Sequence, residues 1–214
     1  MKTLIQCDFD GTITEKDVSF LLLDAFADGD WRALLRQYQA GEITVNHFNK
    51  SAFAMVKADK HTLLQYARGR VKVREGFVEL VNYCRRRGFK FVVVSNGQKF
   101  YINAFLEKLG IGGVDVFAAK TEFTPDGVKA SYIGPDGNTL ESGFKETYVR
   151  LFSDEGYHIV YVGNGISDLA PARLAHYVFA TSELLQYCRQ ENLDCIPFDG
   201  FSDITNGLEC LPLD

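Results

Sequence analysis

The chain has 214 residues, a formal net charge of −5, and 46% hydrophobic against 24% charged residues, enough for one substantial core with a smaller insertion and without the composition of a disordered chain. Mild acidity excludes the basic surface that a nucleic-acid binder needs, and no apolar run approaches the roughly 20 residues that cross a bilayer, so neither nucleic acid nor membrane is an expected partner. Five cysteines, Cys7, Cys84, Cys188, Cys195 and Cys210, are odd in number, include no Cys-x-x-Cys pair and follow no signal peptide, which points to a reducing, cytoplasmic setting.

The first predicted strand is the apolar run 3–7, closed by Asp8-Phe9-Asp10-Gly11-Thr12. Side chains alternate along a strand, so Asp8 and Asp10 are expected on one face and Cys7 on the other, as a small core residue. Gly11 permits a tight turn just past them. Two like charges gathered at the end of a buried strand need protons or a cation to compensate them. Oxygen ligands favour a hard divalent ion, and Mg2+ is the natural one. Over 15–72 the spacing is helical, at Phe20, Leu21, Leu23 and Phe26 and again at Trp31, Leu34, Leu35 and Tyr38, as in a small helical bundle. A helix over 76–87 ends in Arg85-Arg86-Arg87, a cluster that the helix C-terminus itself favours.

The run 89–94 is β-branched and aromatic, like a fully buried parallel strand, and it ends in Ser95-Asn96-Gly97. A hydroxyl and turn amides at that point can donate to phosphoryl oxygens, although alone the segment reads equally as a strand with an Asn-Gly turn. A helix over 99–109 and a strand at 114–118 follow. Between 120 and 143 the turns Thr124-Pro125-Asp126-Gly127 and Gly134-Pro135-Asp136-Gly137 predict a β-hairpin excursion. Gly143-Phe144-Lys145-Glu146 then opens a helix, a strand at 159–162 runs into Gly163-Asn164-Gly165-Ile166-Ser167-Asp168, and a last strand lies at 177–180. Strands alternating with helices predict an α/β fold, a Rossmann-like parallel sheet covered on both faces. The helical bundle would be a cap inserted after the first strand, with 1–14 and 73–214 forming the core and 15–72 the cap. Ligands in such sheets bind beyond the carboxyl ends of the strands, where three of these polar segments fall.

Four segments, around Asp8-Phe9-Asp10-Gly11-Thr12, Ser95-Asn96-Gly97, Lys145 and Gly163-Asn164-Gly165 through Asp168, resemble in order the four motifs of haloacid dehalogenase superfamily phosphatases. The helical insertion resembles the cap of the phosphoserine-phosphatase-like branch. The resemblance implies a Mg2+-dependent phosphatase acting on a small phosphorylated metabolite. It makes Asp8 the nucleophile that forms an aspartyl-phosphate and Asp10 the general acid/base, with Thr12, Ser95, Asn96, Gly97 and Lys145 around the phosphate. It also implies a metal held by Asp8, Asp10 and Asn164, with Asp168 fixing a metal-bound water. Asn164 departs from the family's usual Asp. An amide oxygen still ligates a hard cation, but the lost charge should weaken metal binding.

The segments Leu184-Leu185-Gln186-Tyr187-Cys188 and Ile196-Pro197-Phe198 through Phe201-Ser202-Asp203-Ile204 resemble the tail of methionine-salvage phosphatases that act on a methylthio-ketopentenyl phosphate, and of a broader set of relatives. Asp17 stands where phosphoserine phosphatases carry a cap acid, and Ala52 aligns roughly with their Arg. Without that cation a substrate carboxylate is poorly compensated, so an apolar, thioether-bearing substrate suits this cap. Phe48, Phe53 and Met55 read equally as bundle core, and His47 and Lys50 as solvent-facing. Two alternatives stand beside this reading: a phosphoserine phosphatase, or a weakly catalytic phosphometabolite-binding protein, the latter motivated by Asn164. Dehalogenation fits poorly, because the second Asp and the Gly-Thr pair belong to the phosphatase branch.

Overall fold

Six consecutive residues form β1 (Lys2–Cys7), and all but the first are buried, as a strand is when it has a neighbour on each side and a layer on each face. The computed structural model describes residues 2–213. Its other strands are β2 (Lys90–Gln98), β3 (Asp115–Thr124), β4 (Gly127–Ser131), β5 (Tyr157–Gly163), β6 (Tyr177–Ala180) and β7 (Ile196–Pro197). They form one sheet of order β4-β3-β2-β1-β5-β6-β7, parallel throughout except where β4 folds back on β3. Cys7 lies opposite Val93 on β2 and Val162 on β5, so the three chains leave the sheet side by side.

Alternation divides these strands between two cores. Ile5, Cys7, Phe91, Val93, Val160 and Val162 pack with residues of α5 (Phe77–Arg87), α6 (Lys99–Lys108) and α10 (Phe201–Cys210). Leu4, Val92, Val94, Ile159 and Tyr161 pack with α7 (Phe144–Asp154), α8 (Leu169–Ala172) and α9 (Ser182–Glu191). β1 stops at Cys7, where the sequence reading ends it, so the strand alternation applied to Asp8 and Asp10 does not extend to them and both lie beyond the strand. Two other strands run past their expected ends. β2 runs on to Gln98, which regains a partner in Ala119 past an irregularity after Val94. β3 continues to Thr124 because its second half pairs with β4.

Between β1 and α5 lie α1 (Val18–Phe26), α2 (Trp31–Gln39), α3 (Val45–Ala54) and α4 (Lys60–Arg68). Each begins on a side chain that accepts from the third residue onward: Asp17, Asp30, Thr44 and Asp59, the arrangement that satisfies an otherwise orphaned amide. The insertion enters and leaves through adjacent chains, with an antiparallel bridge between Thr14 and Val73 and a bond from Glu15 N to Lys72 O of 3.0 Å. Its aromatic interior includes Phe20 against Trp31 at 5.2 Å and Tyr38 stacked on Phe48 at 5.8 Å. The β-hairpin excursion props α3 from the other side. Val128 N donates to Val56 O at 3.0 Å, Asn46 Nδ2 to Leu140 O at 3.0 Å, and Lys50 pairs with Glu141 at 2.9 Å.

Candidate active site

The turn after β1 is wound around one carbonyl. Phe9 O accepts from the amides of Thr12, Ile13 and Thr14, and Gly11 takes a φ of +75°, which only glycine adopts freely. Phe9 itself is buried against Tyr101 and Phe105, both at 6.0 Å. That anchor leaves Asp8 and Asp10, on either side of it, facing one cleft of about 530 Å3. Ser95, Asn96 and Gly97 from the end of β2, Lys145 from α7 and Asn164 beyond β5 line the same cleft. Register explains the convergence: β2 and β5 flank β1, with Val93 and Val162 opposite Cys7, so the residues just beyond these three positions emerge side by side.

Lys145 is the electrostatic centre. Its ammonium lies 2.8 Å from Asp8 Oδ1 and 2.6 Å from Asp168 Oδ1, with all three side chains buried. Burial disfavours its charge, but the carboxylates of Asp168 and Asp8 outweigh burial and hold Lys145 above its usual range. Burial pushes the Asp8 carboxyl up to about 7, with Lys145 pulling against it and Asp168 adding to the rise. Asp10 is pushed up to about 8, first by burial and then by Asp17, against the bonds from Tyr101 and Val18 N. The Cys7 thiol, raised well above its ordinary value chiefly by burial, is an inert core group.

One cation therefore faces three buried carboxyl groups, Asp8, Asp10 and Asp168. Such a surplus of oxygen donors over positive charge fits a hard divalent cation. Asp8, the Asp10 carbonyl and Asn164 are the groups that could hold it. Among the described residues no three His, Cys, Asp or Glu side chains are grouped so as to hold a metal ion by themselves. Asn164 Oδ1 accepts from Thr12 Oγ1 at 2.9 Å, which leaves that oxygen one further lone pair.

Two polar side chains are firmly tied in this geometry. Asp168 is fully buried, and its oxygens receive Lys145 Nζ, Tyr161 Oη, Asn164 N and Gly165 N at 2.6 to 2.9 Å. These four bonds fix Lys145 and the Asn164 turn. Thr12 is buried and its hydroxyl donates to Asn164 Oδ1, tying the two loops together. Asp17 does line the cleft, half-buried, and caps α1 through Phe20 N at 2.8 Å. Burial raises it to about 6.

Toward the helical insertion the cleft is walled by Phe20, Leu35, Tyr38, Val45 and Phe48, while Ala52 and Phe53 are buried. Lys50 is held by Glu141 and does not line the cleft. The opposite wall comes from Ile166, Ser182, Glu183 and Tyr187, and Ser182 has a left-handed φ of +51°, uncommon for a residue with a Cβ.

Sequence reasoning missed four polar residues here. Tyr101 donates to Asp10 Oδ2, Tyr161 to Asp168, and Tyr132 to the Asn96 carbonyl. Arg74 grips the acidic turn through Thr12 O and Gly11 O, each at 2.9 Å, and reaches Asp199 O at 2.8 Å. In the sequence each is an isolated aromatic or cation without a motif. The structure also shows how closely Gly97 is approached: a Cβ there would stand 2.0 Å from Tyr101 Oη and 2.2 Å from Asp10 Oδ2.

Comparison with known proteins gives concordant results. Residues 5–173 match the family model of haloacid dehalogenase-like hydrolases. A 2-hydroxy-3-keto-5-methylthiopentenyl-1-phosphate phosphatase of Geobacillus kaustophilus is 32% identical over 95% of this chain and 94% of its own length. One from Brevibacillus brevis is 27% identical over 97% and 96%. Among solved structures, a phospho-aspartyl intermediate analogue of phosphoserine phosphatase superposes with a TM-score of 0.72 at 20% identity, covering 96% of this chain and 98% of that one. A substrate-bound phosphoserine phosphatase complex gives 0.71 at 19%, covering 97% and 98%. At such identities the structural likeness speaks for the fold.

Proposed function

The chain belongs to the haloacid dehalogenase-like hydrolases, and on that premise we propose that it is a phosphatase that cleaves a small phosphomonoester whose alcohol is uncharged and largely apolar. The observation that carries the reading is Lys145, buried between Asp8 and Asp168 at the inner end of the cleft that Asp10 and Ser95 share. Asp8 attacks phosphorus in line, the new oxygen–phosphorus bond forms as the ester bond breaks, and Asp10 gives its proton to the departing alkoxide. Water then attacks the aspartyl-phosphate while Asp10 takes a proton from it, releasing phosphate and restoring Asp8. Lys145, Ser95 and the amides around Gly97 hold the phosphoryl oxygens, because this transfer gains chiefly from positioning and charge neutralisation. A hard divalent cation such as Mg2+ would be held by Asp8, the Asp10 carbonyl and Asn164 and would supply the remaining positive charge.

Residues 15–72 serve as the cap that shapes the alcohol site. Among the described residues a substrate carboxylate finds no free cation there: Glu15, Asp17 and Glu183 line the cleft, Arg74 is engaged on three main-chain carbonyls, and Lys50 is paired outside. A thioether chain suits the rings of Phe20, Tyr38 and Phe48, which offer sulfur–aromatic contact. The substrate named for the Geobacillus and Brevibacillus relatives has that chemistry. The five free thiols fit a cytoplasmic location.

The test is phosphate release from an aryl phosphate with and without Mg2+, followed by a panel of phosphoserine, 2-hydroxy-3-keto-5-methylthiopentenyl-1-phosphate, pyridoxal phosphate and phosphocholine. We expect Mg2+-dependent release and a higher kcat/KM for the methylthio ester than for phosphoserine. A preference for phosphoserine would refute the apolar site, and no release from any ester would refute the phosphatase.

A further inference from the structure

We propose that Tyr101 is the positioning residue for Asp10, and that Ser19 extends its hold into the cap helix α1. The inference rests on the phosphatase reading, in which Asp10 delivers the proton to the leaving alkoxide. Three observations support it. Tyr101 Oη donates to Asp10 Oδ2 and lies 2.8 Å from Ser19 Oγ. A phenol has a single proton, so with that proton on the Asp10 bond, Ser19 is the donor to Tyr101 and the chain runs Ser19 to Tyr101 to Asp10. Such directed chains strengthen one another in a buried setting, and both hydroxyls are buried.

Next, the phenol cannot drift. Its ring is fully buried between Phe9, at 6.0 Å, and Phe100, at 5.3 Å. Gly97 also lies so close to both Tyr101 Oη and Asp10 Oδ2 that any Cβ there would collide with the pair. Finally, the other Asp10 oxygen is fixed independently: Oδ1 accepts from Val18 N at 2.9 Å. Two donors, one from core helix α6 and one from the first turn of α1, thus set the plane of the carboxyl group. An acid held by one donor alone would rotate about its Cβ–Cγ bond and sample orientations in which its proton misses the ester oxygen.

The experiment compares kcat/KM for two esters, p-nitrophenyl phosphate and an unactivated alkyl phosphate, in wild type, Tyr101→Phe and Ser19→Ala. This ratio reports events up to departure of the alcohol, where a good leaving group needs little proton assistance. Positioning of a general acid is expected to lower the alkyl value by about 10- to 100-fold in Tyr101→Phe, a part of the roughly 10^2- to 10^4-fold that such catalysis supplies, and the aryl value by less than about threefold. Ser19→Ala should show the same split at reduced size, and it decides the question alone if Tyr101→Phe does not fold. Equal losses on both esters would overturn the assignment and leave the phosphatase standing. A wild type inactive on both esters would remove the phosphatase reading and this inference with it.

Discussion

The two ends of the cleft are built on opposite plans. At the inner end Lys145 joins Asp8 and Asp168 by short polar contacts, with Asp10 buried beside them, so geometry is fixed by charge. At the outer end Phe20, Leu35, Tyr38 and Phe48 meet Ile166 and Tyr187, and geometry is fixed by ring packing. The contrast teaches that reaction type and substrate choice are held by different forces: changes at the inner end should act on turnover and stability together, and changes at the outer end on selectivity.

The largest expected effect is at Asp8. Asp8→Asn should remove at least ~10^4-fold of kcat, as loss of a nucleophile does, measured as phosphate release. The fold should survive, because burial already disfavours the Asp8 charge. Lys145→Met comes next. It leaves Asp8 and Asp168 buried without their cation and should cost about 3–5 kcal/mol in urea unfolding, whereas Lys50→Ala, breaking the exposed pair with Glu141, should cost under about 1 kcal/mol. Similar losses from the two variants would erase the proposed contrast.

Asn164→Asp sharpens the inner end further. An added carboxylate should lower the melting temperature without Mg2+ and raise it with Mg2+, together with a roughly tenfold tighter Mg2+ Kd by calorimetry, about the effect of one 1.4 kcal/mol contact. An unchanged Kd would place the cation away from Asn164. The pH dependence should be smaller. Asp8 and Asp10 have folded values raised to about 7 and about 8 from a reference of 3.8. Their contribution to stability is therefore fully present below about pH 4 and is lost as pH rises through 7 to 8. Because Mg2+ needs the ionised acids, the melting shift it produces should be larger at pH 8 than at pH 6; a pH-independent shift would mean that the ion is held elsewhere.

What the sequence made legible follows the same division. The apolar run before Asp8, the run before Ser95 and the run before Asn164 are periodic and end in residues with few structural uses, so the sheet and the inner cluster could be read directly. Their meeting point required only that β2, β1 and β5 be neighbours. Tyr101 and Arg74 were not legible. Each acts through a contact with a loop distant in sequence, Tyr101 with Asp10 and Arg74 with Gly11 and Thr12, and neither position has a local pattern. The outer wall was ambiguous for another reason: Phe48 lines the cleft while Phe53, five residues on, is buried in the bundle, and helical spacing marks both as apolar. The turn geometry of Asp8 and Asp10 escaped because the alternation argument assumed a strand that ends at Cys7.

The paired crossing at Thr14 and Val73 has a consequence beyond this chain. A segment whose entry and exit lie side by side, joined to each other by main-chain bonds, presents the core with the same two stumps whatever is threaded between them. Descendants could exchange the whole insertion for one of different length or shape without re-laying a single strand, acquiring a new clientele while inheriting the old chemistry intact.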